Sequence, residues 1–287
     1  MRILLISGIS GSGKSVALNV VEDAGFYCVD NLPPSLLPEL ITTLLDEGIE
    51  SAAMAIDSRS AHLLTSLPDT IEKLRQDGHE VKILFLTAST ESLVARFSET
   101  RRSHPLSHRL QKALPLTGRL SLTECIQEER EMLAEIQSLA HVIDTSSLSA
   151  NKLREWVKNI IQMQHSPLTL TFESFAFKIG VPLDADFVFD VRMLPNPYYD
   201  LALRALTGRD EPVVTYLKSQ DMVLDLYEDI RKFIEKWLPL FKQDNRSYLT
   251  VAIGCTGGQH RSVFMVEHLA SYFGDKEQVL VRHRRLE

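Results

Sequence analysis

The string Gly8-Ile9-Ser10-Gly11-Ser12-Gly13-Lys14-Ser15 constrains this chain more than any other. It has the GxxxxGK[ST] spacing of a phosphate-binding loop, and it lies between the apolar run Ile3–Ser7 and a helix-like stretch from Val16 to Val21. Strand, glycine turn and helix in that order are the context the motif requires. The glycines let backbone N–H groups turn toward an anion. Lys14 is then expected to reach the β- and γ-phosphates of ATP or GTP, and Ser15 to hold Mg2+. A helix start near Gly13 adds its positive end. The plain alternative is a glycine-rich turn with no ligand.

A phosphate loop also needs an acid near the magnesium. Ala53-Met54-Ala55-Ile56-Asp57 is an apolar run closed by aspartate, which makes Asp57 the candidate metal and catalytic partner of Lys14 and Ser15. Asp57 would equally cap the turn Asp57-Ser58-Arg59-Ser60. Asp30, before Asn31-Leu32-Pro33-Pro34, is its rival at another strand end. Between Arg96 and Pro105, three arginines (Arg96, Arg101 and Arg102) follow a candidate helix. Such a segment either closes over phosphates or is a solvated basic loop.

Apolar runs at Ala52–Ile56, Lys82–Thr87 and His141–Thr145 alternate with helix-like stretches at Leu36–Glu47, Leu63–Gln76, Thr90–Thr100 and Ser149–Met163. That alternation predicts an α/β fold with a parallel sheet, here a P-loop NTPase or kinase-like domain over residues 1–163. Gln164-His165-Ser166-Pro167 is polar and ends in proline, so it marks a boundary. Residues 164–287 repeat the pattern, with apolar runs at Leu168–Phe172, Phe187–Phe189 and Leu249–Gly254, helices at Asp221–Leu238 and His260–Phe273, and a last short strand at Val279–Val281.

The second unit has its own anion motif. Cys255-Thr256-Gly257-Gly258-Gln259-His260-Arg261-Ser262 follows an apolar strand and precedes a helix. Its Cys-x5-Arg-Ser spacing suits a cradle of N–H groups with Arg261 clamping two oxygens. Two chemistries share that geometry. Either the loop binds a phosphorylated metabolite, which we favour, or Cys255 is the thiolate of a phosphatase, for which no well-placed general acid is evident. Asp190 and Arg192 alternate at the end of a strand before Pro195-Asn196-Pro197, and Arg204 adds charge. Arg246 and Tyr248 are weaker candidates, since a strand flank explains them as well.

The formal charge of −7 argues against a chain coated in basic surface, although Arg282, Arg284 and Arg285 cluster near its end. Three cysteines make neither a disulfide scaffold nor a zinc cluster. No apolar run approaches the roughly 20 residues of a membrane span. The N-terminus runs straight into the phosphate loop without a cleavage site, so a cytoplasmic location with no membrane partner is expected.

Several long strings together resemble the RapZ/YvcJ family of bacterial nucleotide-binding regulators. They are Gly8–Ser15, Gly25–Pro33, Thr100-Arg101-Arg102 with His104-Pro105-Leu106-Ser107, Phe172–Phe175, Asp190–Pro197, Asn245–Gly258 and His260-Arg261-Ser262. The resemblance implies binding of ATP and GTP with weak hydrolysis, ATP on Gly8–Ser15 and GTP on Asp57, Ser58, Arg59 and Ser60. It further implies an adapter that presents a small regulatory RNA to the endoribonuclease RNase E. The second domain, by the same likeness, is similar to a sugar-phosphate enzyme domain and supports a homo-tetramer. It would hold glucosamine-6-phosphate among Asp190, Arg246, Thr256, Gly257, His260 and Arg261. The adapters carry a histidine where this chain has Tyr198, and a longer basic tail, so RNA contact here falls to Arg282, Arg284 and Arg285. A small-molecule kinase is the remaining alternative.

Overall fold

The computed structural model describes residues 1–57, 67–110, 120–162, 168–243 and 248–286, and its contacts divide the chain into two units, Met1–His165 and Ser166–Glu287. In the first unit β1 (Arg2–Gly8) leads into α1 (Lys14–Asp23), then β2 (Tyr27–Val29), α2 (Leu37–Asp46), β3 (Ser51–Ala55), α3 (Leu67–Gln76) and β4 (Glu80–Thr87). There follow α4 (Thr90–Thr100), α5 (Pro105–Leu110), α6 (Leu122–Leu139), β5 (His141–Asp144) and α7 (Ala150–Gln162). The strands form a parallel sheet in the order β2-β3-β1-β4-β5.

The apolar runs are continuous because both faces of this sheet are covered. Ile3, Leu5, Met54, Ile83 and Phe85 pack with Ile41, Ile71, Ile126 and Leu133 from α2, α3 and α6. Their neighbours Leu4, Ile6, Ala53, Leu84 and Leu86 point the other way, onto Ala17 and Val21 of α1 and Trp156 and Val157 of α7. Helix α6 went unread in the sequence. It opens on a capping box in which Ser121 Oγ accepts from the Glu124 N–H and the Glu124 carboxylate accepts from the Ser121 N–H.

The second unit contains β6 (Thr169–Ala176), β7 (Phe187–Asp190), α8 (Glu211–Lys218), α9 (Asp221–Gln243), β8 (Tyr248–Cys255), α10 (Arg261–Gly274) and β9 (Gln278–His283). Its sheet is parallel in the order β7-β8-β6-β9. Leu170, Phe172, Val251 and Ile253 face an apolar layer from Ile230, Ile234, Phe264 and Leu269. Among the described residues no helix is long and apolar enough to cross a membrane.

Strand β9 corrects the expected arginine tail. It runs beyond Val281, and Arg282 is 2% exposed beside Glu173 in register on β6. Arg284 donates to Glu173 Oε1 at 2.8 Å and lies 3.6 Å from Asp184 Oδ1. Two acids and two guanidinium groups therefore answer one another inside the fold, and of the three arginines only Arg285 is exposed. The residues cluster in sequence because the sheet needs their charge, not because they form one surface patch.

Burial, with Asp184 adding to it, pushes the Glu173 carboxyl up to about 7 against the pull of Arg284 and Arg282. A carboxyl raised on folding favours the folded state below its unfolded value of 4.5, and that contribution is lost as pH rises through about 7. Urea unfolding of the wild type between pH 4.5 and 7 is expected to show this falling component. The Glu173→Gln variant should lack it; an identical pH slope in the two would refute the assignment.

Candidate functional site

The phosphate loop sits at the C-terminal end of β1, between β3 and β4, where open α/β sheets place their ligands. Its shape depends on glycine. Gly8, Gly11 and Gly13 have φ of 142°, 85° and 109°, values that L side chains rarely adopt. Gly13 is the N-cap of α1, so the first-turn N–H groups of that helix face the loop. Lys14 Nζ donates to Gly8 O at 2.6 Å, folded back over the loop.

The loop is clamped through its carbonyls. Thr145 Oγ1 donates to Ser12 O at 2.9 Å, and Arg96 on α4 donates to Gly11 O at 3.1 Å and to Thr145 O at 2.5 Å. Arg96 and Thr145 thus hold the Gly11 and Ser12 carbonyls. Arg96 and Arg102, from the same basic segment, both line the cavity in front of the loop. This cavity of about 500 Å³ is lined by Ser10, Gly11, Gly13, Lys14 and Ser15 together with Asp30 and Asp57. Ile9 and Ser12 stay buried behind it.

Both candidate acids therefore reach the cavity. Asp57 follows β3 and is 7% exposed. Asp30 follows β2 at a turn whose next residue, Asn31, has φ of 56°, a left-handed conformation that asparagine tolerates. The Ser15 hydroxyl and the carboxylates of Asp57 and Asp30 are hard oxygen donors, the set that suits Mg2+ and leaves room for water and phosphate oxygens. Ser58, Arg59 and Ser60 lie outside the described residues.

One participant was missed. Glu129 on α6 is fully buried and accepts hydrogen bonds from both the N–H and the hydroxyl of Ser10. The capping box at Ser121 and the buried positions Cys125, Ile126, Glu129, Leu133 and Ile136 are the signals that mark this helix in the sequence.

The second loop has the same topology. It leaves the C-terminal end of β8, between β7 and β6, and opens α10 at His260. A cavity of about 690 Å³ is lined there by Cys255, Thr256, Gly257, His260 and Arg261, with Tyr198 and Arg285 among the other walls. Asp190 does not line it. Arg192 engages that carboxylate from Nε at 2.9 Å and Nη2 at 2.7 Å and holds it below the usual carboxylate range. Arg192 lies in the turn after β7 rather than on the strand, with its guanidinium 3.9 Å from the centroid of the Phe177 ring. Arg246 lies outside the described residues.

Two expectations for this loop change in detail. Arg261 directs Nη1 at the carbonyls of Arg192 and Leu194, at 2.7 and 2.9 Å, so that atom braces the 192–194 turn instead of clamping two ligand oxygens. His260 Nε2 faces Leu203 O at 3.2 Å, and burial holds the imidazole below its usual value, which leaves a neutral ring near pH 7. Burial opposes ionisation of Cys255. Hydrogen bonds from the Ser262 hydroxyl and from the N–H groups of Ser262, Gly258 and Gln259 outweigh it and hold the thiol below its ordinary value. The lowered thiol is the state a nucleophile needs, whereas Arg261 Nη1, which would hold a phosphate, is turned to carbonyls, so the geometry meets only one of a phosphatase's two requirements.

Comparison with known proteins covers both units. The RapZ-like N-terminal domain family matches residues 1–165, and the RapZ C-terminal domain family matches residues 168–287. A nucleotide-binding protein of Janthinobacterium sp. (strain Marseille) is 64% identical over 287 residues, 100% of each chain. One from Herminiimonas arsenicoxydans is likewise 64% identical over the full length of both chains. A nucleotide-binding protein of Cupriavidus metallidurans is 59% identical, over 100% of this chain and 99% of its own.

Proposed function

This chain belongs to the RapZ family along its length, and on that premise we propose that it is a nucleotide-binding regulator with two phosphate-reading loops. The first takes ATP or GTP with Mg2+ and hydrolyses it slowly. The second takes a phosphorylated amino sugar such as glucosamine-6-phosphate. The observation that carries the reading is the repeated placement: each loop leaves the C-terminal end of a strand inside its sheet, opens a helix and borders a cavity. Relatives 64% identical over their full length carry the description nucleotide-binding protein, which supports the first half.

At the first loop, Lys14 would keep one ammonium proton on Gly8 O and turn the others to the phosphates, while N–H groups of the loop and the start of α1 donate to the phosphate oxygens. Ser15 and Asp57 would hold the magnesium, with Asp30 beside them. The ion, when bound, neutralises phosphate charge. Slow turnover suits a regulator, whose output is the state of the loop.

Titration with ATP, GTP and glucosamine-6-phosphate tests this directly. Lys14→Ala should lose nucleotide binding and keep the sugar phosphate, whereas Arg285→Ala should weaken only the latter. Unchanged nucleotide affinity in Lys14→Ala would sink the first half. Failure of the wild type to bind the sugar phosphate would sink the second.

Family membership also supports a second reading, an adapter that binds a small regulatory RNA and delivers it to RNase E, acting as a homo-tetramer. The exposed cation available for this near the chain's end is Arg285. A salt-titrated gel shift should show weaker RNA binding in Arg285→Ala, because each phosphate contact adds to the salt-dependent affinity. Removing everything after Val281 would be a poor test, since it also takes Arg282 and Arg284 from the buried network.

A further inference from the structure

Ser10 belongs to the phosphate loop, yet both of its donors are occupied from within the protein. Its N–H donates to Glu129 Oε2 at 2.7 Å and its hydroxyl donates to Oε1 at 2.8 Å. The same carboxylate faces His104 Nε2 at 3.1 Å. His104 Nδ1 accepts the Leu106 N–H at 3.2 Å, which places the ring proton on Nε2 and makes the imidazole a donor to Glu129 without needing charge. Glu129 is fully buried and His104 is 3% exposed. An acidic group thus stands behind the loop at a point where such loops offer N–H to an anion.

The end of the loop at which this happens matters. The ammonium that meets the β- and γ-phosphates lies 2.6 Å from Gly8 O, whereas the helix N-terminus that receives the inner phosphates is at Gly13. Ser10 is therefore on the terminal-phosphate side, and it lines the cavity. A γ-phosphoryl there competes with Glu129 for the Ser10 N–H and meets a like charge poorly screened by water. A diphosphate ends short of that contest.

We propose that Glu129, acting through Ser10, is a specificity-determining positioning residue that penalises the γ-phosphate, so that the chain holds a nucleoside diphosphate at least as tightly as the triphosphate. The proposal rests on the nucleotide reading of the loop. It gives this chain's phosphate loop an internal competitor, with His104 and α6 as its support. In this arrangement the diphosphate left after hydrolysis is the better-fitting ligand.

The test is calorimetric titration of the full chain with ATP and with ADP, each with Mg2+, in wild type, Glu129→Gln and Lys14→Ala. Wild type should bind ADP at least as tightly as ATP. Glu129→Gln, which removes the charge at constant size, should raise the ATP-to-ADP affinity ratio about tenfold, or about 1.4 kcal/mol. A residue that merely held the loop in shape would weaken both nucleotides together and leave their ratio unmoved, and that result overturns the proposal. The wild-type comparison decides even if the variant fails to fold: ATP bound tighter than ADP also overturns it. Failure of the underlying reading looks different. Neither nucleotide would bind wild type, or Lys14→Ala would bind both as wild type does, and the proposal would fall with it.

Discussion

Arg284→Ala is expected to destabilise the second unit by about 3–5 kcal/mol, the range for removing one partner of a buried ion pair. The side chain is 6% exposed, and the two carboxylates it faces, Glu173 and Asp184, are fully buried. Without it Arg282 alone would answer both acids, leaving one uncompensated negative charge inside the sheet. Because the Glu173 carboxyl is already pushed up to about 7, protonation would relieve part of that charge at low pH. The loss should therefore be larger at pH 8 than at pH 5. Urea unfolding at the two pH values would measure it. A change below about 1 kcal/mol at pH 8 would place these charges among the weak surface pairs.

Gly8→Ala is the second large effect, on the other unit. A Cβ on Gly8 would lie 2.2 Å from the Leu86 carbonyl oxygen and 2.7 Å from the Leu86 nitrogen, both backbone atoms of β4. The residue also has φ of 142°, where any side chain is strained. Neither problem has a flexible neighbour to absorb it, because β1 and β4 are hydrogen-bonded from Arg2 to Gly8. Strain and overpacking together should cost about 2–6 kcal/mol and spread the loop from its strand, with nucleotide affinity lost in whatever folds. Gly78→Ala is the control. Its φ is 85°, but no atom lies within 4 Å of the added carbon, so only the strain of about 1–2 kcal/mol remains. Equal losses in the two variants would mean that the close approach to Leu86 is unimportant.

The first unit was legible wherever local chemistry and period agreed. The glycine loop, Ile3–Ser7 and Thr90–Thr100 stand where their spacing puts them, because strand, turn and helix there are fixed by neighbours in sequence. Glu129 was not legible as a site residue. Its partner Ser10 is 119 positions away, and nothing in a helix of mixed charge says which carboxylate turns inward. The arginines near the chain's end misled for a related reason. Arg282 and Arg284 look like a basic tail only until Glu173 is placed beside them by the pairing of β6 with β9. Asp190 and Arg192 were rightly seen as neighbours, but the strand stops at Asp190 and the two charges satisfy each other instead of facing a ligand together.

The position of β6 has a consequence for how the chain is made. It is the first strand of its sheet to leave the ribosome, yet its partners β8 and β9 are the last two. Parallel pairing over such separations is slow, and both edges of β6 stay open while the intervening helices are synthesised. In the first unit β1 pairs with β3 and β4, and all four strands of that sheet besides β1 are synthesised before β6. A nascent chain should therefore display a finished nucleotide loop while the second unit still needs a chaperone. Stalled translation between α9 and β9 would then yield a species with one working half and one aggregation-prone strand.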